Sequence, residues 1–176
     1  MHATGMPTLP VLRGDRVTLR PVRDDDAGAL LALLTEPAVA RWWHAWDAER
    51  VREDLLAEDE ESVIVIEVRG ELAGMLLVYE EELDDFRHAS LDIAIATAHQ
   101  GLGLGPEALR LVVRHLVAEH GHHRFTIDPA TGNERAIRAY AKLGFKPVGV
   151  MRSYERGADG AWHDALLMDL LADELL

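Results

Sequence analysis

The sequence predicts an α/β (α+β) domain: one mixed, mostly antiparallel sheet with helices on both faces. Three observations predict it. Strand-like runs at 62–68, 71–79 and 87–96 follow one another closely, and Arg69-Gly70 between the first two reads as a tight turn. A strong amphipathic helix over 104–120 then leads to a short strand at 124–128. Those flanking strands are therefore parallel, joined by a right-handed crossover. The chain closes on two more strand-like runs, 145–154 and 162–170.

The remaining elements follow in order. Val11 to Val22 reads as one strand, with Val17 and Leu19 alternating against charged neighbours. Asp24, Asp25 and Asp26 suit a helix N-terminus, where carboxylates meet the positive end of the helix dipole. Ala27, Leu30, Leu31 and Leu34 continue that helix until Pro37 ends it. Val39 to Trp46 reads as a loop or short turn, and Asp47 caps a second helix running to about Glu58. In the 104–120 helix Leu109, Val112, Val113 and Leu116 form one stripe. A helix over 133–143 is capped by Asn133 and stopped by Gly144. The predicted order is β-α-α-β-β-β-α-β-α-β-β. At 176 residues the chain fits a single domain, 1–176.

Composition narrows the function classes. Without cysteine, the chain has no disulfide, thiolate metal site or cysteine nucleophile. No long apolar run or signal-peptide layout is present, so a cytoplasmic protein without a membrane partner is expected. The net charge of −13 disfavours nucleic-acid backbones and favours a cationic partner, unless it serves solubility alone. His120-Gly121-His122-His123 sits at a helix end, with no acid or histidine partner at helical metal spacing, so no metal centre is expected.

The sharpest local signal is Gln100-Gly101-Leu102-Gly103-Leu104-Gly105, directly between a strand and the amphipathic helix. Closely spaced glycines let the backbone turn tightly and aim N–H groups at a ligand. The helix start behind them adds free donors and a partial positive charge, which together suit a phosphate or pyrophosphate. The glycine register is not the dinucleotide fingerprint, and Pro106-Glu107 stands where a P-loop needs Lys and Ser or Thr. A glycine-rich turn without a ligand is the alternative.

The remaining pattern, Q-x-x-G-x-G, resembles the acetyl-coenzyme A loop of the GNAT acetyltransferases. A second block, Asn133 to Phe145, resembles that family's later helix, N-x-x-A-x-x-x-Y-x-x-x-G-F. The resemblance covers about residues 10–170. It implies the GNAT fold, in which the 87–96 and 124–128 strands splay apart to admit acetyl-CoA. Gln100, Gly101, Leu102, Gly103, Leu104 and Gly105 would hold the pyrophosphate, and Asn133 and Ala136 would line the pantetheine arm. Tyr140 would sit at the cofactor sulfur and protonate the leaving thiolate. Backbone groups of Ile93, Ala94 and Ile95 would position the acetyl carbonyl.

The strand before the loop adds its own reading. Leu91, Ile93 and Ile95 face a core, while Asp92, Ala94 and Ala96 share the other face. One carboxylate followed by small residues leaves room there for an extended ligand. Asp92 could hold an ammonium and take its proton, or be an ordinary solvent-facing carboxylate.

Asp128-Pro129 ends the next strand. Trp42, Trp43, His44 and Trp46 form an aromatic loop, and Tyr79, Glu80 and the acids that follow them precede the Asp92 strand. Acids with aromatic faces suit a polycation. A core cluster and a solvated loop are the plainer readings.

Trp42-Trp43, Leu91-Asp92, Thr126 to Pro129 and Asn133 to Tyr140 together resemble the aminoglycoside 6′-N-acetyltransferases. The resemblance implies Asp92 as base at the 6′-amine, and Trp42, Trp43, Tyr79, Glu80, Asp92 and Asp128 around the substrate. The expected function is acetyl-CoA-dependent N-acetylation of an aminoglycoside-like cationic small-molecule amine. The alternatives are a GNAT enzyme for a peptide N-terminus or polyamine, and a CoA-binding module without turnover. A monomer or a homodimer fits, since an edge strand such as 162–170 could pair across a dimer.

Overall fold

The computed structural model describes residues 9–57 and 61–176. Eight strands form one sheet in the spatial order β1-β2-β3-β4-β5-β6-β8-β7. They are β1 (Leu12–Arg13), β2 (Thr18–Pro21), β3 (Glu61–Val68), β4 (Glu71–Glu81), β5 (His88–Ile95), β6 (Arg124–Ile127), β7 (Lys146–Arg156) and β8 (Trp162–Leu171). Every neighbouring pair is antiparallel except β5–β6. The helices are α1 (Ala27–Thr35), α2 (Pro37–Ala40), α3 (Ala48–Arg50, continued by a wider turn to Leu55), α4 (Leu104–His120) and α5 (Glu134–Ala141). No described helix is long and apolar enough to cross a membrane.

The expected mixed sheet and parallel pair are present, and three local expectations are corrected. Val11 to Val22 is not one strand. A turn closed by the Gly14 N–H on the Val17 carbonyl at 2.8 Å folds it into the β1–β2 hairpin. Pro37 ends α1 but also starts α2, because the residue before a proline is pushed out of the helical region, here Glu36 with ψ 129°. Val39 and Ala40 therefore belong to a helix, and the aromatic loop begins later. The helix capped by Asp47 is regular only to Arg50 and widens to Leu55; Glu58 lies outside the described residues.

Strand alternation divides the core in two. Leu76, Val78 and Leu91 pack on the α4 stripe of Leu109, Val112, Val113 and Leu116. On the other face Met75, Leu77 and Ala94 pack against Leu30, Leu33 and Leu34 of α1, with Val51 and Leu55. Helices thus cover both faces. The second face also carries a buried ion pair. Arg20 grips Asp26 through two nitrogens at 2.7 and 2.8 Å and adds Glu67 at 2.7 Å. The guanidinium holds the Asp26 carboxyl below its usual range. Removing one partner would strand the other charge, at about 3–5 kcal/mol.

The parallel pair positions the site. β5 and β6 are registered only at Ala89↔Phe125 and Ser90↔Thr126. The Ser90 and Thr126 hydroxyls join them at 2.8 Å. Beyond that point β6 stays with β8, and after Pro129, which has no N–H to give, the chain keeps following β8. The Leu166 N–H donates to the Pro129 carbonyl at 2.8 Å, and the Thr131 N–H to the Asp164 carbonyl at 3.0 Å. Among the described residues, Ile93 to Ile95 therefore have no neighbouring strand on that side.

Candidate active site

A first chamber of about 420 Å³ lies between the unpaired edge of β5 at Ile93–Ile95, the start of α4 and α5. The loop before α4 is held from both ends. The Gln100 side-chain amide donates to the Ile95 carbonyl at 2.8 Å. Arg16 donates to the Leu102 carbonyl at 2.6 Å, and its Nε donates to Glu107 at 2.8 Å. Glu107 in turn accepts the backbone N–H of Arg16 at 2.7 Å. In a trans peptide the carbonyl and the following N–H point opposite ways. With the Leu102 carbonyl turned to Arg16, the Gly103 N–H points away from it. Gly103 begins α4 at φ 78°, a conformation that favours glycine. Free amide groups and the helix dipole thus present an anion site at the head of the chamber. Asn133 and Ala136 line the opposite wall, and the Asn133 side chain caps α5 by accepting the Ala136 N–H at 3.3 Å.

A second chamber, of about 600 Å³, opens on the far side of Tyr140. Tyr140, Ile93, Asn133, Trp42 and Trp43 line both chambers, so the two meet there. Asp92 enters from β5, Asp128 from the end of β6, Glu155 and Tyr154 from β7, and Asp54 from beyond α3. Arg50 is the cation among them; it lies over the Trp46 ring and is neutralised by Asp54 at 2.8 Å. The chamber is therefore acidic. His44 Nε2 and Trp46 Nε1 are buried there without a hydrogen-bond partner among the described residues.

Burial sets the protonation of the site. Tyr140 is pushed well above the usual phenol range by burial first, then by the charges of Asp92 and Asp128. It stays a neutral O–H and can give a proton to a stronger base. Burial raises the Asp128 carboxyl, and the nearby Glu155 charge adds to this, while a hydrogen bond from Tyr154 opposes it. Tyr154 is raised to about 12, by burial and then by that bond.

The expected site residues divide clearly. Trp42, Trp43, Asp92, Asp128, Asn133, Ala136 and Tyr140 line these chambers, as do Ile93 to Ile95 and the loop residues Gln100, Gly101, Gly103, Leu104 and Gly105. Leu102 is exposed outside them and contributes its carbonyl to Arg16. Tyr79 lies on the Asp92 face but two pairs further along the sheet, opposite Ser90. Glu80 alternates to the opposite face and binds His120 and His122, so it lines neither chamber. The face shared by Asp92 and Ala94 is open only at Asp92, which is exposed on the second chamber; Ala94, 3% exposed, packs in the cluster with α1. The slot runs along the strand edge instead. Sequence reasoning missed Arg16, Tyr154 and Glu155, which lie far along the chain from the motifs. It also missed Arg135, Arg138 and Lys142 at the first chamber, although their spacing on one helix was a readable signal.

A helix start suited to an anion and an acidic pocket meet at one buried tyrosine, an arrangement that fits a two-substrate transferase. The chain belongs to the acetyltransferase (GNAT) domain family, whose pattern it matches over residues 16–146. It is an N-acetyltransferase, and acetyl-CoA is its cosubstrate. It is 29% identical over 156 residues to an aminoglycoside N(6')-acetyltransferase type 1 of Klebsiella pneumoniae, covering 78% of this chain and 77% of that one. It is 28% identical over 166 residues to a spermidine N(1)-acetyltransferase of Escherichia coli, covering 91% and 88%. The structure of Mycobacterium smegmatis RimJ in complex with CoA-disulfide superposes with a TM-score of 0.78 at 26% identity, covering 90% of this chain and 83% of that one.

Proposed function

We propose that the enzyme acetylates a primary amine of a hydroxyl-bearing polycation of the aminoglycoside kind. The observation that carries this reading is the second chamber, where Asp92, Asp128 and Glu155, in excess of the Arg50–Asp54 pair, surround a tryptophan-lined space next to Tyr140. Carboxylates and aromatic faces together attract a multiply charged cation. The similarity to an aminoglycoside acetyltransferase supports the same choice.

The acetyl-CoA pyrophosphate sits on the amide groups at Gly103 to Gly105, with Gln100 and Gly101 shaping the turn. Arg135 and Lys142 add positive charge at that chamber, as does Arg138, whose exposed pair with Glu134 at 3.0 Å is weak enough to exchange for phosphate. The pantetheine arm passes between Ile93–Ile95 and Asn133–Ala136, bringing the thioester to Tyr140. Asp128 holds the ammonium form of the amine. Asp92, directly or through water, accepts its proton. The freed nitrogen attacks the thioester carbon: the C–N bond forms, the C–S bond breaks as the Tyr140 hydroxyl protonates the departing thiolate, and the second proton released by the acylated nitrogen returns through water to restore the Tyr140 hydroxyl. Backbone N–H groups along the unpaired β5 edge stabilise the oxyanion.

The test is acetyl-CoA-dependent thiol release on kanamycin, tobramycin, spermidine and peptides with free N-termini. Fastest turnover on the aminoglycosides supports the proposal. Turnover confined to spermidine or peptides rejects the substrate class and leaves the acetyl transfer in place.

A further inference from the structure

Glu80, His120 and His122 come together at the end of α4 remote from the glycine loop, away from both chambers. We infer that these three side chains form a binding site for a divalent transition-metal ion of the zinc class.

The geometry is built by two local features. Strand alternation turns Glu80 from the Tyr79 face toward α4, where its side chain is only 3% exposed. Gly121, at φ 69°, ends the helix in the left-handed region and reverses the chain. His120 and His122 can then flank the same carboxylate. His120 Nδ1 lies 2.7 Å and His122 Nε2 2.5 Å from one oxygen, Glu80 Oε2. The three ligand atoms all fall within 4.8 Å of one another. Tetrahedral zinc with bonds of about 2.0–2.2 Å holds its donors roughly 3.4 Å apart. Opening the contacts to the carboxylate by roughly 1 Å would admit the ion.

Charge and hydrogen bonding point the same way. A carboxylate this buried needs a compensating cation. The nearby guanidinium, Arg87, spends its bonds on the His120 carbonyl, the Glu82 carbonyl and Asp84. Compensation for Glu80 therefore falls to an imidazolium or to a metal. The cluster is not closed as a hydrogen-bond network either. His122 Nδ1, on a fully buried side chain, and His115 Nε2, on the ring packed against His120, have no partner among the described residues. Two imidazoles and one carboxylate suit zinc, cobalt or nickel and offer too few oxygens for calcium or magnesium. Solvent reaches the His120 rim, so water completes the coordination. The expectation of no metal centre looked for an acid at helical spacing; the acid instead comes from β4, 40 residues before His120.

The test is titration of the EDTA-treated full chain with Co²⁺, followed by its visible d–d bands, and with Zn²⁺ by calorimetry. One ion per chain with a Kd of about 1 μM or tighter is expected at neutral pH. Affinity should weaken at least about tenfold on mild acidification, because the imidazoles must be deprotonated to bind. His122→Ala should lose the cobalt bands. Because His122 is buried, Glu80→Gln and His120→Ala serve as further variants, each expected to weaken Zn²⁺ by about 100-fold. Zinc should raise the Tm of the parent chain by several degrees and that of Glu80→Gln by much less. Absence of the cobalt bands in the parent, or unchanged zinc affinity in Glu80→Gln and His120→Ala, overturns the inference.

Discussion

The two chambers that meet at Tyr140 are built in different ways. The first takes its anion site from one contiguous stretch, Gln100 to Gly105, and its far wall from one helix, α5. The second gathers Asp54, Asp92, Asp128 and Glu155 from separate segments, around tryptophans of the α2–α3 loop. In the proposed reading the first holds acetyl-CoA largely through backbone amides and a helix dipole, which depend on conformation. The second relies on side chains, which can change singly without disturbing the fold. On the proposed reading, the cosubstrate depends on local chain geometry and the acceptor on long-range assembly.

Variants at the junction should have the largest effects. Tyr140→Phe keeps the ring and removes the proton donor. It should lower kcat by about 10²–10³, the range of general acid catalysis, with little change in acetyl-CoA Kd. Unchanged kcat would remove Tyr140 from the acid role. Asp92→Asn should lower kcat/KM for the amine by about 10², with the deficit growing as pH falls, where an unassisted amine stays protonated. A deficit independent of pH would leave Asp92 only a positioning role.

Weaker effects sharpen the second chamber alone. Because the Asp128 carboxyl is raised, it protonates at higher pH than an ordinary Asp as the solution is acidified. KM for the amine should therefore climb with falling pH from above about pH 4, the usual Asp range. That limb should flatten in Asp128→Asn. Trp46→Phe removes the N–H together with the fused ring over which Arg50 lies, and should raise the amine KM by about three- to tenfold at unchanged acetyl-CoA KM. An unchanged amine KM would remove Trp46 from the substrate wall.

The same contrast explains what the sequence made legible. The 104–120 helix was bounded correctly because its stripe, Gly103 and Gly121 all carry local signals. The parallel pair followed from the crossover rule. Strand alternation puts Asp92, and motif spacing puts Asn133 and Tyr140, among the residues that line the chambers. Glu80 was assigned to the substrate because it precedes the Asp92 strand, yet a one-residue alternation sends it to the opposite face. Tyr154 and Glu155 carried no motif; they reach the site because β7 follows β8 around the splayed edge, a consequence of topology rather than local pattern. The break at Gly14 escaped because its flanks continue to alternate on either side of the turn.

The most direct measurement is a crossed pair of KM values, using the amine turned over fastest in the panel. Asp128→Asn should raise KM for that amine by about tenfold or more and leave acetyl-CoA KM within about twofold. Arg138→Ala should do the reverse, raising acetyl-CoA KM about three- to tenfold, more at low salt, and sparing the amine. That crossed pattern is what two separate chambers joined at Tyr140 require. If both constants move together in both variants, the two chambers are not separate binding sites, and the account of the active site fails.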